Sequence, residues 1–355
     1  MTAHINRIGT AVPPHDVHEA FVAFARTLLA DDRARTVFER MAERAGIAHR
    51  YSSFQPGVPG SEKVDAEGFY RRGAFPGTAA RMARYEVDAV TLAAEAVERL
   101  GVGHERITHL VVASCTGFTA PGLDQLIADR LELGGALERT LVGFMGCYAA
   151  VPALRAAHHI VRSDRDARVL VVNLELCSLH LQETADLERV LSFLLFGDGA
   201  TAALVTAEAQ GIALHDFHAS TIPDTQDLIT WRIGDQGFDM HLSGKVPGRI
   251  ATALRHEADR NDAGGFLHGG NITDTAHWAV HAGGRTVLDA VEAGLRLPSD
   301  ALRHSRAVLH AVGNVSSATL MFVLARILAE GAAGPGIAMA FGPGLCAETF
   351  RFSLL

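Results

Sequence analysis

The sequence predicts an α/β protein built on a buried, mostly parallel sheet. Three observations predict it. From Thr108 onward, apolar β-branched runs alternate with helical patterns; the same rhythm returns in the second half of the chain; and hydrophobic residues fill 48% of the 355 positions against 20% charged. Nearly continuous apolar strands separated by helices mark a sheet covered on both faces. The length suits about two units of roughly 150 residues each, or one large duplicated unit.

The opening INRIGTAVPP reads as a short strand stopped by Pro13 and Pro14, followed by helical patterns over Asp16 to Leu29 and Asp31 to Ala45. The second of these has an acidic start and a glycine, Gly46, after its end. Ser52 to Gly73 carries Pro56, Pro59 and scattered charges and reads as a surface loop, after which TAARMARYEVDAVTLAAEAVERL is helical. Then follow the strand THLVVASC, the helix PGLDQLIADRL, the strand TLVGFM, the helix YAAVPALRAAHHIVRS and the strand ARVLVVNLELC. After the largely polar stretch His180 to Arg189, FLLFGDGATAALVTAE reads as strand, turn and strand, and Gly211 to Met240 as strands with exposed loops. Helix and strand then alternate through GRIATALRHEAD, HWAVHAGG, RTVLDAVEAGLRL, RAVLHAVGN, SSATLMFVLARILAEG and GIAMAFGPG with ETFRFSLL. This repeated element order implies a duplicated α/β core, although no fixed sequence period accompanies it.

A net charge of -8 with pI near 6.1 argues against a grip on nucleic acid or on an anionic membrane surface. The longest apolar stretch, Ala318 to Ala329, falls short of the 18 to 20 residues that span a bilayer. Cys115, Cys147, Cys177 and Cys346 form no CxxC pair, and no HExxH or calcium-loop spacing occurs, so neither zinc nor another metal is expected. The start of the chain lacks the apolar run of a secretory leader, and a reducing cytoplasm is the expected setting.

Cys147 lies where the run TLVGFM meets a helix, so free amide groups and the helix dipole there would favour a thiolate. In an apolar context a lone cysteine is equally a small buried hydrophobe. His281 ends the run HWAV before two glycines, at a sheet edge where ligands gather in α/β folds, though eighteen histidines dilute the signal. Asn314, in AVGNVSSAT, is either a helix cap or an amide donor aimed into a pocket. Together at three strand-to-helix junctions, the three residues suit thioester attack with stabilisation of an enolate or oxyanion. Gly197-Asp198-Gly199 and Gly342-Pro343-Gly344 fit no phosphate loop and read as turns bringing backbone near the site.

In order along the chain, GIAHRY, TAARMARYE, HLVVASCTGFTAPGLD, GCYAAVPALR, LFGDGA, WAVHAGGRTVLDAVE, GNVSSATLMFVL and FGPGL resemble the blocks of the type III polyketide synthases, relatives of chalcone and stilbene synthases in the thiolase superfamily. The resemblance implies a five-layered αβαβα thiolase-like fold with mixed sheets, divided into halves 1–205 and 206–355. It matches Cys147 to the acyl-accepting cysteine, His281 and Asn314 to the catalytic histidine and asparagine, and Phe196 to one of two gatekeeping phenylalanines. Met240 stands at the second gatekeeper, Ala282 replaces the usual proline after the histidine, and Arg50 is the nearest match to a basic residue at the mouth of the CoA tunnel.

The implied chemistry uses no resident cofactor. The Cys147 thiolate, paired with His281, takes an acyl group from acyl-CoA; His281 and Asn314 stabilise the enolate formed as malonyl-CoA loses carbon dioxide; and the carbanion attacks the acyl group repeatedly before cyclisation. The resemblance also implies a homodimer. If Met240 relieves a constriction, a long alkyl starter and an alkylpyrone or alkylresorcinol-type product follow. The alternatives are a ketoacyl synthase III-like condensing enzyme, against which HAGG after the strand counts, and a non-catalytic scaffold of the same fold.

Overall fold

A computed structural model describes residues 1–102, 106–259, 265, 267 and 272–355. The first half runs β1 (Ala3–Ala11), β2 (His15–Asp16), α1 (His18–Leu28), α2 (Asp32–Arg44), β3 (Tyr51–Ser52), α3 (Thr78–Leu100), β4 (His109–Ser114), α4 (Leu123–Arg130), β5 (Glu138–Gly143), α5 (Ala150–Ser163), β6 (Val169–Leu176), α6 (Leu187–Phe193) and β7 (Asp198–Thr206). The second runs β8 (Ile212–Thr221), β9 (Ile229–Gly234), β10 (Gly237–Leu242), α7 (Val246–Ala258), β11 (His277–Val280), α8 (Arg285–Leu295), α9 (Arg303–Val312), α10 (Ala318–Glu330), β12 (Gly334–Gly342) and β13 (Cys346–Leu354).

Among the described residues, nine strands join in the order β11-β12-β13-β8-β1-β7-β6-β4-β5. The β5-β4-β6 pairs and the β11-β12 pair are parallel, and the remaining neighbours are antiparallel, so the sheet is mixed and not mostly parallel as the alternating runs suggested. The halves meet along β1 and β8 over only three residue pairs, Ala3 with Leu214, His4 with Ala213 and Ile5 with Ile212.

Strand side chains alternate between faces, and the alternation builds the layers. Val111 and Ala113 of β4, Val169 and Val171 of β6, Ala279 of β11, and Ala338 and Ala340 of β12 share one core with α5 and α10. The intervening residues Leu110, Val112, Leu170 and Val172 pack under α3 and α4, whereas Trp278, Val280, Ile337 and Met339 pack under α7 and α8. Two central helices thus lie between two sheet halves, each covered outside by further helices: the five-layered arrangement.

Two segments differ from the sequence reading. The apolar run before Gly197-Asp198-Gly199 is not a strand: Asp186 caps α6 by accepting from Arg189 N–H at 3.0 Å, and the helix runs to Phe193. RAVLHAVGN is likewise helical, as α9. Its buried Ser305, Val308, Leu309 and Val312 follow the 3.6-residue period, and Gly313, at φ +70°, ends it.

Candidate active site

Cys147 sits on a single 3-10 turn, Gly146–Tyr148, between β5 and α5. Gly146 has φ +73°, and a Cβ there would lie 2.4 Å from Pro343, while a Cβ on Gly342 would meet the Tyr148 ring at 2.6 Å and Cys147 N at 3.3 Å. The Gly342-Pro343-Gly344 turn therefore presses on the backbone of the Cys147 turn, and a side chain at Gly146 or Gly342 would displace it.

Asn314 does not lie at a strand-to-helix junction. It links α9 to α10, its backbone pairing with Phe196 in an isolated parallel bridge. Its N–H donates to Leu195 O at 2.8 Å, and its carbonyl accepts from Gly197 N–H at 3.0 Å. The side-chain oxygen accepts from Ser316 N–H at 2.9 Å, which orients the amide, and Nδ2 donates to Gly283 O at 3.3 Å. His281, at the end of β11, brings Nε2 to that same Oδ1 at 3.3 Å. Because Oδ1 only accepts, Nε2 carries the proton.

Ser316, a non-glycine residue at φ +47°, joins the groups: its hydroxyl donates to Cys147 Sγ at 3.6 Å. Residues from both halves of the sheet, far apart in sequence, thus converge on one sulfur. The expected thiolate is opposed by burial, which pushes the Cys147 thiol up to about 11 despite hydrogen bonds from Ser316 and Asn314. Burial also takes the His281 imidazole down to about 4, so it is neutral near pH 7. Burial thus favours the neutral form of each of the two groups.

Phe196 is half-buried beside Asn314 and, with Cys177 and Phe193, borders a cavity of about 100 Å³. Arg50 borders it too, which corrects the sequence reading. Rather than standing at a surface mouth, it is 3% exposed, donates to Phe193 O and Phe196 O at 2.8 Å each and to His18 Nδ1 at 3.1 Å, and lies over the Phe21 ring. Its Nη1 holds the carbonyls of Phe193 and Phe196, while Nη2 is buried with no hydrogen-bond partner among the described residues, so the guanidinium is turned into the interior beside Phe196.

Met240 stands directly opposite Trp231 in the β9-β10 ribbon, so their side chains share a face. Trp231 Nε1 donates to Cys115 O at 2.7 Å, and its ring meets Phe238 and His180 at centroid distances of 5.6 and 5.2 Å. His180 stacks on Phe238 at 4.2 Å, and Phe144 and Phe118 extend the cluster. Trp231 thus sets a large aromatic side chain beside Met240 on one face of the ribbon. Trp231, His180, Cys115 and Ser316 were not singled out from the sequence, and only the block SCTGFTAPGLD hinted at Cys115.

Comparison with known proteins decides the family: the model for the N-terminal domain of chalcone and stilbene synthases matches residues 2–209, and that for their C-terminal domain matches residues 213–354. The chain belongs to the chalcone and stilbene synthase family. It is 32% identical to 1,3,6,8-tetrahydroxynaphthalene synthase of Streptomyces griseus over 98% of this chain and 91% of the relative. It is 29% identical to the α-pyrone synthesis polyketide synthase-like protein of Mycobacterium tuberculosis, over 99% and 91%. The crystal structure of polyketide synthase PKS-I from the brown alga Ectocarpus siliculosus superposes with TM-score 0.86 at 30% identity, covering 100% of this chain and 98% of that one. This chalcone and stilbene synthase relative is a type III polyketide synthase. Two relatives named for different products are almost equally similar to it, so overall identity does not select its product.

Proposed function

We propose that this enzyme loads an acyl group from acyl-CoA onto Cys147 and extends it by decarboxylative condensation with malonyl-CoA, with no resident cofactor. The observation that carries the reading is the convergence of Cys147, His281 and Asn314 through Ser316. Once substrate draws it away from Asn314 Oδ1, the His281 Nε2 proton joins the second Nδ2 proton of Asn314 as two donors for the thioester oxygen of malonyl-CoA. As carbon dioxide leaves, charge collects on that oxygen, and fixed donors in a buried site stabilise it more than water does. The resulting carbon attacks the Cys147 thioester, releases the sulfur and lengthens the chain, and cyclisation follows.

The pairing of Met240 with Trp231 across the ribbon supports a compact starter over a long alkyl one. We infer a compact acyl starter and a pyrone or resorcinol-type ring with a short substituent. A homodimer is supported by β5, an edge strand with Glu138 to Leu141 exposed, which leaves one row of backbone groups open to a second copy. The setting we infer is the cytoplasm. Among the described residues, no helix is long and apolar enough to cross a membrane.

Incubation with acyl-CoA followed by peptide mass spectrometry tests the assignment: the adduct is expected on Cys147, and one on Cys115, Cys177 or Cys346 in its place would overturn it. Product formation from acyl-CoA and malonyl-CoA without an acyl carrier protein separates this reading from a ketoacyl synthase III-like enzyme.

A further inference from the structure

At the end of α5 away from Cys147, a cleft of about 690 Å³ opens between that helix and the strands β8, β12 and β13. Arg155, His158, His159 and Arg162 of α5, His215 of β8 and Arg351 of β13 line it. A rise of about 1.5 Å per residue puts Arg162 about 18 Å from the start of the helix at Ala150, near Cys147. No residue of β5 lines the cleft, so it is separate from the edge offered to a second copy as well as from the Cys147 site.

The charges there are unevenly paired. Arg155 is matched by Glu348, and Arg351 by Asp216, whose Oδ2 lies 2.8 Å from its Nη2. Arg162, exposed in the last turn of α5, makes no ion pair or hydrogen bond with a described residue. His158 is 8% exposed, its ring lies against those of His159 and Phe217 at centroid distances of 5.4 and 5.3 Å, and its Nδ1 has no hydrogen-bond partner among the described residues. Asp274, exposed in the turn before β11, also lines the cleft.

Burial takes His158 down to about 4, and His159, Arg162 and His215 push the same way while Asp216 opposes them. Burial also lowers His215, with Asp216 opposing and Arg351 adding to the effect. On the neighbouring strand β1, His4 is lowered by burial and by His215. Donors thus crowd where acceptors are scarce. The carbonyl end of α5 favours a cation at Arg162. It does not account for His4 and His215, which come from strands.

We propose that this cleft binds a small phosphorylated ligand, with Arg162, His158, His159 and His215 donating to phosphoryl oxygens and Phe217 flooring the site. A guanidinium donates to two phosphoryl oxygens at once, and an imidazole donates an N–H whether neutral or protonated. A carboxylate offers two oxygens in one plane, whereas these donors come from a helix and a strand and suit the three oxygens of a phosphoryl group. The volume falls within the range of roughly 300 to 1,000 Å³ that small-ligand sites occupy. Because a bound phosphate favours the charged imidazole, binding takes up protons near pH 6.

The test is isothermal titration calorimetry of the full chain with inorganic diphosphate and with ADP at pH 6. Both should bind. Arg162→Ala should weaken binding about tenfold, the loss of one charge-assisted contact, and is expected to leave condensation without the probe unchanged. His158→Gln should reduce the protons taken up, read from heats in buffers of different ionisation enthalpy; attraction to surface charge alone gives no such change. Tighter binding of ADP would seat its nucleoside on Phe217, and equal binding would leave the phosphates as the whole of what is recognised; either supports the site. No binding of either probe at millimolar concentration, unchanged affinity in Arg162→Ala, or unchanged proton uptake in His158→Gln would overturn it. If His158→Gln does not fold, the exposed Arg162 decides. None of these outcomes depends on which residue is acylated.

Discussion

In the N-terminal half the chain leaves edge strand β5, turns once over Gly146–Tyr148 and enters the central helix α5; in the C-terminal half the stretch before the central helix α10 is itself a helix, α9, ending at Gly313. Both routes deliver a functional residue to the start of a central helix, Cys147 in one case and Asn314 with Ser316 in the other. The two starts meet where Ser316 Oγ reaches Cys147 Sγ. The difference teaches a division of labour. On the proposed function, the first half supplies the thiol and the second supplies the neutral donors that receive charge from the substrate.

Breaking the first half should have the largest effect. Cys147→Ala is expected to give no acyl adduct and no condensation product, as followed by mass spectrometry of protein and small molecules; residual chain extension would mean that the first half does not hold the nucleophile. Breaking the second half should spare loading. Asn314→Ala or His281→Ala is expected to slow malonyl-CoA decarboxylation roughly a hundredfold to a thousandfold, about 3 to 4 kcal/mol of lost charge stabilisation, while Cys147 still takes an acyl group. Unchanged release of carbon dioxide from either variant would remove the division.

A smaller effect is expected at the β9-β10 ribbon, where the two positions compensate. Trp231→Ala should move the preferred starter to longer chains, by about fourfold per methylene newly buried at about 0.8 kcal/mol each. Met240→Phe should move it the other way. Turnover across acyl-CoA starters of increasing length measures both, and a profile indifferent to Trp231 would show that Met240 stands alone.

The smallest effect concerns pH and both halves together. Burial takes His18 and His281 down to about 4 and His180 down to about 3, from 6.5 in an unfolded chain. These groups stay neutral in the folded protein while the unfolded chain takes up protons below 6.5. Their contribution to stability is therefore full above that pH and is lost as pH falls toward 4. Thermal unfolding midpoints should be flat near neutrality and decline through this window. Because one core spans both halves, a single transition is expected.

Much of the fold was legible because strands buried on both faces announce themselves as apolar runs: VVAS, VLVVNLEL and HWAV all became strands. FLLF and RAVLHAV did not. A short apolar run has no period long enough to separate a buried helix from a buried strand, and the Asp186 cap and the Gly313 stop decided both. Cys147, His281 and Asn314 were readable as members of family blocks. Arg50 was placed at a tunnel mouth by the family resemblance alone, whereas folding buries it against backbone carbonyls and an aromatic face.

By itself, then, the sequence determined the α/β class and the layered arrangement and pointed to the three residues on which the proposed function rests, since periodicity and motif order are properties of the chain alone. Only the tertiary structure decided what surrounds them. Trp231 faces Met240 through strand register, Ser316 reaches Cys147 from the other half, and Arg50 is turned into the interior beside Phe196. The physical reason is that hydrogen bonds, burial and the proton affinities they set depend on distances between residues that the chain brings together only on folding.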